Sequence, residues 1–91
     1  MLKVSTHSIP ELTEGARVCW EDDEQAFVLL YPEGMIVLDS PTSNLLQHCD
    51  GVQTIEEIFT QMKSDEATPF NRHNVLQNID QVVNIGLLRF R

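Results

Sequence analysis

The chain has 91 residues, enough for one domain that buries roughly 60 to 65% of its unfolded surface and too few for a large enclosed active site. Six basic against fourteen acidic residues give a formal charge of −8, which works against binding to phosphate backbones or anionic membranes. Two cysteines, no basic-then-apolar leader, and apolar runs far short of the ~20 residues of a membrane span read as a soluble, cytoplasmic domain with reduced, structural thiols.

Residues 1–15 carry scattered Ser8, Pro10, Thr13 and Gly15 without a sustained period, so they are expected to be an extended, loosely attached segment, anchored at most by Ile9 and Leu12. Residues 16–91 are expected to form the single domain. Arg17 to Trp20 alternates as a half-buried strand does, with Val18 and Trp20 on one side and Arg17 and Cys19 on the other. The acidic run Glu21-Asp22-Asp23-Glu24 lacks the spaced ligands and glycine of a calcium loop and reads as a solvated turn.

Phe27 to Leu38 (FVLLYPEGMIVL) is two apolar runs joined by Tyr31-Pro32-Glu33-Gly34. Pro32 pre-sets the φ of a type I turn and Gly34 tolerates positive φ, which predicts a hairpin with a three-residue loop. The first run is then the middle strand of an antiparallel meander, apolar on both faces because both are covered. Met35 to Leu38 is the third strand, with no Lys or Pro to discourage pairing, and nothing after Asp39 looks like a strand to cover it. It is expected to be an adhesive edge and the working surface.

Ser40-Pro41 predicts a helix start with Ser40 as N-cap, Leu45, Leu46 and Cys49 facing inward, and Gly51 supplying the left-handed stop. Thr54-Ile-Glu-Glu57 is a capping box opening a second helix, whose Ile55, Ile58, Phe59 and Met62 form an apolar stripe. Lys63 to Ala67 reads as a loop, and Thr68-Pro69 as the start of a third helix with Val75, Leu76, Ile79, Val82 and Val83 as its stripe and Gly86 as its stop. Leu87, Leu88 and Phe90 are expected to pack back on the core while Arg89 and Arg91 stay wet. A sheet followed by three helices is the outline of an α+β, winged helix-turn-helix-like domain with its wing at the N-terminus.

No catalytic constellation can be assembled, so the expectation is a protein that is no enzyme and holds no cofactor. His7, His48 and His73 lack metal-ligand spacing with each other or with Cys19 and Cys49, and no phosphate-binding or nucleophile motif is present. DNA binding is the rival from another class. The third helix offers Arg72 with His73, Asn74, Gln77 and Asn78, but six cations spread over the chain cannot supply the phosphate contacts of a strong binder.

PELTEGARV (Pro10 to Val18), FVLLYPEGMIVLD (Phe27 to Asp39), LLQHCDGVQTIEEI (Leu45 to Ile58) and the terminal IGLLRF resemble the pyrroloquinoline quinone (PQQ) biosynthesis protein D family, PqqD, in order over roughly residues 9 to 90. The resemblance implies a peptide chaperone, a stand-alone recognition element for ribosomally made, post-translationally modified peptides. Its implied partners are a PqqA-type precursor, bound by its leader as an added strand, and the radical S-adenosylmethionine enzyme PqqE. The implied groove lies between Met35, Ile36, Val37 and Leu38 on the third strand and the third helix, the region Asn71 to Ile85; on that helix Arg72, Val75, Asn78, Ile79 and Val82 are expected to bind the peptide, an Asn beside Val75 and Val82 suiting a partly open groove. Two other readings stay open: the same domain serving another peptide-modification pathway, or an acidic structural subunit whose edge is buried in a self-dimer.

Overall fold

The computed structural model describes residues 5–65 and 70–91. Its elements run β1 (Pro10–Leu12), β2 (Arg17–Glu21), β3 (Ala26–Tyr31), β4 (Gly34–Val37), α1 (Ser40–Gln47), α2 (Ile55–Asp65), α3 (Arg72–Asn84) and β5 (Leu88–Phe90). The expected α+β architecture is present: a three-stranded antiparallel sheet in the order β2-β3-β4, followed by three helices. Val28 and Leu29, adjacent in β3 and so on opposite faces, are both fully buried, as a central strand covered on both sides requires. Leu29, Leu45 and Leu46, the α2 row Ile55, Ile58, Phe59 and Met62, and the α3 row Val75, Ile79 and Val82 belong to one contiguous core.

The local signals for α2 are met in detail. The Glu57 amide donates to Thr54 Oγ1 at 3.1 Å and the Thr54 amide to Glu57 Oε1 at 2.8 Å, a reciprocal capping box. Gly86, at φ +82, ends α3 as expected, with its own amide donating to the Val83 carbonyl and the Leu87 amide to that of Val82. This 5→2 and 6→1 pair is a Schellman stop, sealed by Leu87 and Val82 in the core.

Several expectations need correction. The hairpin is tighter than a three-residue loop: Tyr31 pairs directly with Gly34, leaving Pro32 and Glu33 between the strands. Trp20 shares the Val18 side of β2 but lies past the end of the core, 50% exposed and edge-on to Phe27, with its indole N–H donating to Asp22. The cap of α1 is Asp39, whose Oδ1 accepts from the Thr42 amide at 2.9 Å, so Ser40 is already helical. Helix α2 continues through Lys63 to Asp65, where a loop was expected. Thr68 and Pro69 lie outside the described residues; α3 begins at Arg72, with the Asn71 side chain accepting from the Asn74 amide.

The largest difference is at the chain ends. The described part of the N-terminal stretch is not loosely attached: β1 pairs antiparallel with β5, Pro10 opposite Phe90 and Leu12 opposite Leu88. The Ser8 and Thr6 carbonyls accept from the Ile55 and Glu56 amides, which are among the free donors at the start of α2. Glu11 then holds Arg89, Nη2 to Oε1 at 2.8 Å, with Arg91 Nε at 3.8 Å, so both arginines are exposed but paired.

Gly51 belongs to this strap and not to the stop of α1, which ends with His48 as its C-cap. At φ +78 its amide donates to the Pro10 carbonyl, and a Cβ there would meet Glu11 Oε2 at 2.5 Å. Cys49 is buried, its thiol donating to the Leu45 carbonyl, and burial, with Asp50 adding to it, pushes its pKa up to about 12. A thiol in that state packs as a small hydrophobe.

The Gly51→Ala variant should lose about 1 to 3 kcal/mol of stability in urea denaturation, because alanine is strained at positive φ and must displace the Glu11 carboxylate. A midpoint equal to that of the wild-type protein would show that this crossing does not hold the strap.

Candidate functional site

An antiparallel ladder alternates between residue pairs that exchange hydrogen bonds and pairs that do not. The Leu38 amide donates to the Phe27 carbonyl at 2.9 Å, and two residues along, Ile36 stands opposite Leu29. Gly34 and Ile36 therefore bond inward to β3. Met35 and Val37, opposite Leu30 and Val28, turn their amides and carbonyls away from it, toward the open side of the sheet. No strand among the described residues pairs there. The edge thus presents a donor and an acceptor at Met35 and again at Val37, at the spacing a guest strand uses.

Side chains alternate independently of these bonds. Ile36 and Leu38 point to the core side, whereas Met35 and Val37 stand on the opposite face, 43% and 53% exposed. Beside the edge on the core side runs a cleft of about 460 Å³. One wall is Ile36, Val37 and Leu38; the other is the α3 row Asn78, Gln81, Val82 and Ile85, at the i, i+3, i+4, i+7 spacing of a single helix face. Asp39 and Thr42 also line it, at the start of α1.

Asn78 joins these parts. Its amide nitrogen donates to Asp39 Oδ2 at 3.2 Å and to Thr42 Oγ1 at 3.1 Å, while Asp39 Oδ1 caps α1. One side chain on α3 thereby fixes its distance from the end of β4. Ile85, the C-cap of α3, is 53% exposed at the cleft's rim because the chain turns away at Gly86.

Of the residues expected on the helix side, Asn78 and Val82 line the cleft. Val75 and Ile79 are buried in the core, on the neighbouring row of the same helix. Arg72 is placed elsewhere: its guanidinium pairs with Glu56 at 3.2 Å and lies 4.8 Å over the Phe59 ring, on the side of α2. Gln81 and Ile85 were not anticipated. The apolar stripe points at the core, and which margin is left open depends on where β4 docks, which the helix sequence does not contain. Among the described residues, no group of three His, Cys, Asp or Glu side chains is arranged to hold a metal ion, and no helix is long and apolar enough to cross a membrane.

Asn78→Ala should lower stability by about 1 to 2 kcal/mol, since it leaves the buried Thr42 hydroxyl and one Asp39 oxygen without their donor. Unchanged thermal and urea midpoints would show that the brace carries no load.

No family model matches the chain. It is similar to the PqqA binding protein of Methylococcus capsulatus, 27% identical over 88 residues that cover 97% of this chain and 95% of that one. It is also similar to the PqqA binding protein of Azotobacter vinelandii, 35% identical over 63 residues, 69% and 68% of the two chains, and to that of Stutzerimonas stutzeri, 33% over 64 residues, 70% of each. Its fold matches the solution structure of the PqqD portion of Methylobacterium extorquens PqqCD, described as a stand-alone recognition element for ribosomally synthesised and post-translationally modified peptides. The TM-score is 0.76, with 23% identity and coverage of 97% and 96%. By its likeness along most of its length to these curated relatives, the chain belongs to the PqqA binding protein (PqqD) family.

Proposed function

We propose that this protein is a non-catalytic peptide chaperone of pyrroloquinoline quinone biosynthesis, which binds the leader of a PqqA-type precursor as a fourth strand on β4 and presents it to a PqqE-type radical S-adenosylmethionine enzyme. In this reading residues 16–91, with the β1 strand that pairs with β5, form the recognition domain, and the setting is cytoplasmic. The observation that carries it is the unpaired edge at Met35 and Val37 beside an apolar cleft. The names of the curated relatives support the choice of guest.

The magnitudes are adequate. The four main-chain bonds that Met35 and Val37 can make are worth a net ~1 kcal/mol each, about half of the −8 kcal/mol or so of a micromolar complex. The guest residue opposite Ile36 turns its side chain into the cleft, and its neighbours two positions away do the same. Burying ~300 Å² of apolar surface there is worth about 7 kcal/mol before the cost of ordering the peptide. Of the expected peptide-binding residues, Met35, Ile36, Val37, Leu38, Asn78 and Val82 contact the guest in this reading, joined by Gln81 and Ile85. Val75 and Ile79 back the cleft from the core.

The edge geometry makes the test directional, because proline deletes an N–H. Val37→Pro removes an outward donor and should stay folded while losing about 1 to 3 kcal/mol of leader affinity, a factor of roughly 5 to 150, along with enzyme-dependent modification of the precursor. Ile36→Pro removes a ladder bond and should be destabilised instead. If Val37→Pro is folded by circular dichroism and binds the leader as the wild type does, the peptide does not pair with β4.

A further inference from the structure

We infer that the strand added to β4 carries basic side chains near its two ends, which the carboxylates of Asp39 and Glu33 select; this deepens the reading above and rests on it. The two carboxylates bracket the edge. Asp39 follows β4 immediately and lines the cleft, and Glu33 precedes it in the exposed turn. Five residues lie between them, so extended chain sets them on the order of 20 Å apart.

Neither carboxylate pairs with a cation among the described residues. Both Asp39 oxygens are occupied, but by neutral donors, the Thr42 amide and the Asn78 side chain, which orient the group without cancelling its charge. Glu33 makes no ion pair among the described residues. The described cations lie elsewhere: Arg72 is held by Glu56, Arg89 and Arg91 by Glu11, Lys63 is in the last turn of α2, and Arg17 is on β2, at the far edge of the sheet. Among the described residues, no Lys or Arg lines the cleft. The field over the edge is therefore that of a chain with formal charge −8, with no described cation beside the proposed guest.

The same two groups discriminate against a second copy of this chain. A twofold pairing of β4 with itself that joins Met35 to Val37 of the second copy, in both directions, sets Glu33 opposite Asp39 of the second copy at each end. Like charges directly opposite one another destabilise a strand pair. An apolar edge that would otherwise invite self-pairing is guarded by acids, and those acids reward a guest of opposite charge. The guest is then an apolar stretch, one residue of which enters the cleft opposite Ile36, with a Lys or Arg about three positions to either side.

The test uses a synthetic PqqA leader and a copy with every Lys and Arg replaced by Gln, titrated by fluorescence anisotropy at 20 and 300 mM NaCl. The proteins are the wild type, Glu33→Gln, Asp39→Asn, which keeps a good N-cap residue, and the double variant. Each exposed ion pair is worth a factor of about 1.5 to 5. The native leader should therefore bind the wild type roughly 2 to 25 times more tightly than its Gln copy at low salt, with the advantage shrinking at high salt. The double variant should bind both peptides alike. Equal binding of the two peptides by the wild type, with Val37→Pro still weakening it, would overturn the charge selection and leave strand addition standing. Binding indifferent to Val37→Pro would instead remove the strand-addition reading itself.

Discussion

Backbone amides and carbonyls must be paired or hydrated, and the architecture follows from leaving one row of them unpaired beside an apolar wall. Strand β4 bonds to β3 through Gly34 and Ile36 and presents Met35 and Val37 outward. Water satisfies such a row in the free protein, so the edge costs little to maintain. In the proposed function it serves as a site because α3 runs alongside and gives a guest's side chains somewhere apolar to go. In that proposal hydrogen bonds would set direction and register, and burial would supply the selectivity for apolar residues.

Such a site needs a cleft of fixed width, and a domain of 91 residues has little rigidity to spare. The width is set at two levels. Locally, Asn78 ties α3 to Asp39 and Thr42, where β4 hands over to α1. Globally, the chain ends lock the helices behind the sheet: β1 pairs with β5, which follows directly on α3, and the stretch before β1 satisfies amides at the start of α2. The Schellman stop at Gly86 links the two levels, turning the chain from the cleft's rim into β5 while leaving Ile85 exposed.

What the sequence disclosed follows the range of the interactions. The hairpin, the capping box before α2, its apolar stripe and the stop at Gly86 depend on residues a few positions apart, and each was legible. Asp39 and Ser40 are both good N-cap residues, so composition did not separate them; the side chain that reaches the Thr42 amide does. The strap between β1 and β5 joins residues about eighty positions apart through strands of three residues, one starting with proline, too short to show a period. On α3, burial of Val75 and Ile79 is what an apolar stripe announces. The open margin, with Gln81 and Ile85, is fixed by the docking of β4 and carries no signature of its own.

The central claim is that the guest pairs with the outward groups of β4, and amide hydrogen exchange reads those groups one at a time. In the free protein Ile36 and Leu38 should exchange slowly and Met35 and Val37 quickly, because only the former donate within the sheet. Saturating leader peptide should slow Met35 and Val37 and leave the order of the others unchanged. Protection that rises along α3 while Met35 and Val37 stay fast would mean that the peptide occupies the cleft without joining the sheet, and would contradict the account.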